Sequence, residues 1–310
     1  MKTLKLVEKS KIWFGIAILL IVVSLGSLLI RGLDFGIDFR GGTIITIDLH
    51  TQFKTEDIRK ITDEFDKSAE ITYSGDAQEQ VVISTKENMD AEKRNALFAK
   101  FQDQYKLEET DLISADSVTA TVGSETARNA VIAAAVAVLL MLIYITFRFE
   151  FFFGLSAIIT LIFDITIVIG VYALLQIQVN APFIAAILTI LGYSINDTIV
   201  VFDRIRENEG ILGVKEIEKL VDTSITQTLR RSLYTVATTL LAILSLYILG
   251  VEAIRDFALP LVVGIVTGCY GSIFVASPLW VLFQKKFPSS KRNKKMNKGS
   301  RRPRQTKIEV

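Results

Sequence analysis

The chain has 310 residues, half of them apolar, a formal net charge of +2, one histidine and one cysteine. Its apolar residues are bunched into runs of about 20, long enough to span a hydrocarbon core, rather than spread at amphipathic spacing, which excludes a soluble enzyme. One His50 and one Cys269 leave no intramolecular disulfide and argue against a metal site or a Cys–His nucleophile pair.

Residues 1–11 carry Lys2, Lys5, Lys9 and Lys11 and precede a first span, residues 12–30 (Ile12–Ile30). That span leads into Arg31-Gly32-Leu33-Asp34 without a small-residue cleavage site, so it reads as a retained helix and not a signal peptide. The next segment, residues 31–125, is acidic: twenty acidic against ten basic side chains between Asp34 and Glu125. The positive-inside rule therefore places both termini in the cytoplasm and this segment outside.

Within the acidic segment, Thr43–Leu49 alternates apolar and polar residues as a strand does. Thr55-Glu56-Asp57 opens a helix to about Ser68, with Ile58, Ile61 and Phe65 on one face. Glu70–Tyr73 and Gln80–Thr85 read as strands around a turn at Ser74-Gly75-Asp76. A second helix, Asp90–Tyr105, and a last strand, Leu112–Ala120, complete a β-α-β-β-α-β order, that of a ferredoxin-like α+β domain.

Residues 126–283 hold five further spans: Ala130–Phe147, Phe152–Gln176, Ala181–Phe202, Ser232–Gly250 and Phe257–Phe283. The fold class is thus a polytopic α-helical membrane protein with six transmembrane helices and one extracytoplasmic domain between the first two. Arg148–Glu150 is a short inner turn, and Gln176–Asn180 and Val251–Asp256 are short outer ones. The longest inner loop, Asp203–Arg231, is charged and helical in pattern. Residues 284–310 form a basic tail that reads as disordered beside an anionic leaflet.

Ionisable residues inside apolar spans are costly and usually face a protein interior or a water-filled path. Asp197, in Leu191–Val200, lies about fifteen residues into the fourth span, with Ser194, Asn196 and Thr198 around it. A poorly solvated carboxyl favours its protonated form and a nearby cation its ionised form, so such a group trades protons as a relay needs. The alternative is a structural interhelical hydrogen bond. Arg231, Thr235 and Thr238, spaced i, i+4, i+7, share a helix face able to approach Asp197 from the fifth span. Arg230, and on the plainer reading Arg231 too, are positive-inside anchors. Asp164 is a second buried carboxylate, either in the same polar cluster or near the inner interface. Asp203 is expected to pair locally with Arg204 or Arg206, and Gly264 with Gly268 to form a close helix-packing surface.

Three motifs carry a family resemblance. Gly36–Thr43 (GIDFRGGT), with Asp38, Phe39, Gly41 and Gly42, resembles the Asp-Phe-x-Gly-Gly-Thr signature of the SecF family of protein-export membrane subunits. Gly192–Asn208 (GYSINDTIVVFDRIREN), including Asp203 and Arg204, resembles the family's fourth-span signature, and Ser224–Leu233 (SITQTLRRSL) its segment before the fifth span. The resemblance implies the resistance–nodulation–division superfamily and a multi-pass protein of the bacterial cytoplasmic membrane. It implies pairing with SecD beside the SecYEG translocon, YidC and YajC as further partners, and a translocating preprotein helped across by the proton gradient. Its proton-linked positions fall on Asp197, Arg231 and Thr235. Since the chain matches only the SecF half of fused relatives, the preprotein-contacting head and the matching carboxylate are expected on a separate SecD, and this chain alone is expected to transport nothing. No cofactor, metal or nucleic acid is expected; membrane lipid is.

Two other functions compete. A small-molecule or lipid exporter of the same superfamily would share the carboxylate but would usually have two six-span halves and larger outer domains. A scaffold would use the buried charges for packing alone. An intramembrane enzyme has no Ser/His, Cys/His, HExxH or paired-aspartate constellation to support it.

Overall fold

Ser10–Arg31 (α1) is the first of six helices, among the described residues, that are long and apolar enough to cross a membrane. The structure, a computed structural model, describes residues 4–67, 69–75, 78–118, 120–212, 216–250 and 252–287. The expectations for Ser68, Asp76, Val251 and nearly all of the basic tail lie outside those residues. The chain is a polytopic helical membrane protein with one small sheet.

After α1 a single helical turn, Ile37–Arg40 (α2), precedes the sheet unit. Its elements are β1 (Gly42–Asp48), α3 (Thr55–Thr62), β2 (Glu70–Ser74), β3 (Gln80–Thr85), α4 (Ala91–Tyr105) and β4 (Leu112–Val118). The sheet order is β2-β3-β1-β4, and every neighbouring pair is antiparallel. Period-2 alternation in β1 buries Ile45 and Ile47 while Ile44 and Thr46 are half-buried. Those residues meet Ile58 of α3, Leu97 and Phe101 of α4, and Val81 and Ile83 of β3 in one core. The Asp90 carboxylate caps α4 by accepting from Lys93 N–H at 2.8 Å.

Two boundaries differ from the sequence reading for identifiable reasons. Helix α3 stops at Thr62 rather than near Ser68, because Phe65 and Asp66 turn back onto the Thr62 carbonyl and the Asp66 carboxylate accepts the Thr85 hydroxyl of β3. Strand β4 ends at Val118, and the second long helix, Ala120–Arg148 (α5), begins well before residue 130. The early start brings Gly123 onto α2, where a Cβ would lie 2.5 Å from the Phe39 carbonyl oxygen.

The remaining helices are α6 (Phe151–Leu175), α7 (Ala181–Leu212), α8 (Ile217–Leu249) and α9 (Glu252–Tyr270). A π-helical segment, Gly271–Ala276, then leads into α10 (Ser277–Lys286), so the last span changes its hydrogen-bond register midway. The expected long inner loop is a helical hairpin, because α7 and α8 both continue past the apolar runs. Polar side chains sew that extension together: Asn208 donates to the Ser224 hydroxyl at 2.9 Å and to Gln227 Oε1 at 2.7 Å. Arg204 Nε also donates to Gln227 Oε1, at 2.6 Å. Helices α6 and α7 and the last span form the packed interior, whereas α1, α5 and α8 leave most of their apolar surface uncovered.

Candidate functional site

Asp197 sits on α7 where α8 and α9 close against it. Its Oδ1 accepts a hydrogen bond from the Ser232 hydroxyl of α8 at 2.7 Å, and its buried Oδ2 has no hydrogen-bonding partner among the described residues. A cleft of about 30 Å³, room for a water molecule, opens beside it. Its walls include Tyr193, Ser194 and Asn196 from α7, Thr235 from α8, and Gly264 and Gly268 from α9.

The predicted glycines make this approach possible. A Cβ at Gly264 would lie 2.4 Å from Ile190 Cδ1 of α7, and one at Gly268 would lie 3.2 Å from Ser194 Cβ. Helix α9 therefore runs too close to the carboxylate-bearing helix for a side chain at Gly264, and close enough at Gly268 that a Cβ would be a tight fit. Gly192 has open space around it and no such role.

The face expected to meet Asp197 is rotated by one residue. Ser232 is buried and makes the contact, while Arg231 is exposed and forms no ion pair with Asp197. Thr235 reaches the cleft, but its hydroxyl donates to the Arg231 carbonyl at 3.0 Å. Thr238 likewise bonds back to its own helix. Successive helical residues point about 100° apart, so a face chosen by i, i+4 spacing is easily off by one position.

Asp164 forms no direct hydrogen bond with Asp197 among the described residues. It is fully buried in α6, where its Oδ2 accepts the Ser194 hydroxyl of α7. Ser194 belongs to both places, since it also lines the Asp197 cleft. Close by, the hydroxyls of Thr198 and Ser272 share a 2.8 Å hydrogen bond.

Asp203 does not pair with its neighbours Arg204 or Arg206; it lies 3.7 Å from Arg148 in the preceding inner turn. Arg204 pairs with Glu207, and Arg206 donates to the Arg148 carbonyl. Arg230 donates to the Tyr234 hydroxyl and lies over its ring.

The Asp-Phe-Arg-Gly-Gly segment is bolted to the far end of α7. Gly36 N–H donates to the Val179 carbonyl at 2.9 Å, and Val179 N–H to the Asp34 carbonyl at 2.8 Å, a short parallel bridge onto the α6–α7 turn. The Asp38 carboxylate accepts the Ala181 N–H at the start of α7. Phe39 packs into the apolar cluster around Val179, Phe183 and Leu261. Gly41 and Gly42 have φ of 81° and 153°, and a Cβ at Gly42 would meet the Thr85 carbonyl at 2.2 Å, so both positions require glycine.

Sequence reasoning missed Ser232, which looked like an ordinary span residue, and Asp222. One Asp222 oxygen accepts the Leu6 and Val7 N–H groups at 2.9 and 2.8 Å, tying the start of the chain to α8. A carboxylate four residues before Thr226 on the same helix was the available signal, since Thr226 accepts the Leu4 N–H.

Fold and site together define a polytopic membrane protein with carboxylates buried at helix interfaces, the placement expected of transport proteins. Residues 98–286 match the family described as protein export membrane protein SecD/SecF, C-terminal, and residues 26–52 match the SecD/SecF GG motif. The protein translocase subunit SecF of Sebaldella termitidis is 40% identical over 306 residues, 95% of this chain and 97% of that one. The protein translocase subunit SecDF of Thermus thermophilus is 39% identical over 272 residues, 86% of this chain but 37% of that longer one. A crystal structure of Thermus SecDF superposes with a TM-score of 0.79 at 37% identity, over 91% of this chain and 39% of that chain. The chain belongs to the SecF family of protein translocase subunits, and its role is in protein export.

Proposed function

We propose that this chain works with a separate SecD subunit and uses the proton motive force to assist late preprotein translocation through the SecYEG channel. The observation that carries the reading is the Asp197 carboxylate, held by one serine hydroxyl in a cleft between three helices, on the helix whose other end is gripped by the Asp38 segment. Protonation and release at Asp197 change what that carboxylate can accept from α8. The α7–α8 contact then shifts, and α7 carries the shift to the sheet unit. Such coupling requires two states that differ in proton affinity.

Arg231, Thr235 and Asn196 are exposed at or beside the mouth of the cleft. Polar side chains on a bundle face are expensive against lipid, which supports a protein covering there, with SecD supplying the matching carboxylate. Arg231 then serves as the mobile cation of the relay. In this scheme the sheet unit is a ferredoxin-like domain on the outer side of the membrane, and both termini are cytoplasmic. SecYEG, YidC, YajC and the preprotein are met through the assembled pair.

The test is export in cells depleted of the SecF protein and complemented by wild type or by Asp197→Asn, with membrane level and SecD co-purification checked in parallel. Loss of export with assembly intact supports the reading. Full export by Asp197→Asn makes that carboxylate dispensable and leaves this chain a scaffold or one coupled through some other residue.

A further inference from the structure

We infer that Asp164 is a second proton-carrying carboxyl, loaded from the Asp197 cleft through the Ser194 hydroxyl. The inference rests on the proton-coupled reading above and extends it to a group on a different helix interface.

Four observations place it. Asp164 is fully buried, and its Oδ1 has no hydrogen-bonding partner among the described residues. Among the described residues, its Oδ2 accepts only the Ser194 hydroxyl. Ser194 also lines the cleft, where Gly268 leaves it uncovered: a Cβ at Gly268 would stand 3.4 Å from Ser194 Oγ. Finally, Gly271, at the start of the π-helical segment, leaves room for the open oxygen: a Cβ there would be 2.6 Å from Asp164 Oδ1, so a side chain would not fit.

Among the described residues, the groups shown against Asp164 are uncharged: Thr160 on its own helix, Ser194 on α7 and Gly271 on the π-helical segment. Asp197 and Cys269 line the same cleft as Ser194. An ionised carboxylate buried with one hydroxyl donor and no cation is poorly compensated, so this arrangement suits the carboxylic acid. The proton path is short. A proton arriving from the cleft at Ser194 Oγ frees the hydroxyl proton already directed at Oδ2. The carboxylate becomes the acid and Ser194 ends as the same alcohol. Release runs the same steps backwards. In the proposed cycle the π-helical segment is the element that changes: π-bulges inside α-helices are frequent at functional sites, and a return to α register would re-aim Ser272 and move Gly271 relative to Oδ1.

The experiment is infrared spectroscopy of the full chain in lipid nanodiscs, with H₂O/D₂O exchange, for wild type, Asp164→Asn, Asp197→Asn and Ser194→Ala. Circular dichroism verifies that each variant is folded. The proposal expects a protonated-carboxyl C=O band that is absent in Asp164→Asn, retained in Asp197→Asn and shifted in Ser194→Ala. It also expects deuterium exchange of that band to slow by about tenfold or more in Ser194→Ala, the effect of losing one hydrogen-bonded step. A spectrum without that band, or a band whose exchange ignores Ser194, overturns it. If Asp164→Asn fails to fold, the Ser194→Ala shift and exchange rate decide alone. Because no export is measured, failure here leaves the Asp197 reading standing, whereas full export by Asp197→Asn would sink that reading and leave the infrared band to be judged by itself.

Discussion

Asp38 Oδ2 accepts a 2.7 Å hydrogen bond from the backbone N–H of Ala181, the first residue of the helix that carries Asp197. The first turn of a helix has N–H groups without intrahelical partners and a partial positive charge, and a carboxylate answers both. At 1.5 Å rise per residue, the two aspartates are separated by about 24 Å of rigid helix. On the proposed coupling, a displacement at Asp197 would therefore be carried to the segment from which β1 starts, rather than absorbed by a loop.

Asp38→Ala is expected to cost about 1 kcal/mol through loss of the cap, with Asp38→Asn costing less because an acceptor remains. Thermal unfolding of the purified chain measures the first effect. Export in depleted cells should fall more than that stability loss explains. Proportional losses in both would make Asp38 a cap and nothing more.

Ser232→Ala removes the hydroxyl that donates to Asp197. Leaving a buried carboxylate oxygen unpartnered costs about 1–3 kcal/mol, and Ser232→Thr, which keeps the hydroxyl, should recover most of it. Export kinetics are the readout: slower for Ala, close to wild type for Thr. Equal rates for the two would remove Ser232 from the site.

Gly264→Val places a branched side chain where even a Cβ lies 2.4 Å from Ile190. Overpacking of this kind costs about 1–3 kcal/mol or forces the helices apart. Cysteines placed on facing sides of α7 and α9, in a Cys269→Ala background, should crosslink less readily in the variant. An unchanged crosslinking yield would mean that the interface has slack.

The sheet unit contains a pH-sensitive contact of its own. His50 Nε2 lies 2.9 Å from Asp111 Oδ1; this hydrogen bond chiefly raises the His50 pKa. The Glu108 backbone N–H, followed by His50, lowers that of Asp111. The raised histidine contributes stability that is complete below its unfolded pKa and lost as pH rises through the folded one. The lowered carboxylate contributes stability present above its unfolded pKa and lost as pH falls. The pair's contribution is therefore complete between about pH 4 and about pH 6.5, and is lost only as pH passes the shifted values, above that range for His50 and below it for Asp111. His50→Gln should lower the unfolding temperature of the chain at about pH 5.5 and not at about pH 8. An equal drop at both would assign His50 a packing role.

How much was legible is best seen at particular residues. Strand Gln80–Thr85 and the pattern of Ile45, Ile47 and Ile58 follow from periodicity, because a two-residue repeat and a helical face are local properties. Asp197 stood out because a carboxylate in an apolar run is conspicuous. Its donor did not: Ser232 is an unremarkable residue whose relevance depends on the rotation of α8 about its own axis. The link of Asp164 to the Asp197 cleft through Ser194 was equally hidden, because only the packing of α6 against α7 shows it.

The sequence by itself determined the six spans, the strand and helix order of the sheet unit, and the presence of costly intramembrane carboxylates. Hydrophobic run length and local period suffice for those, since each depends on neighbours in the chain. Only the tertiary structure decided that Asp38 caps the Asp197 helix, that Ser232 and not Arg231 meets the carboxylate, and that Arg148 and not Arg204 faces Asp203. Those contacts depend on how the helices are rotated and how deeply they interlock. Both are set by small residues such as Gly264 and Gly268, whose partners lie far away in sequence.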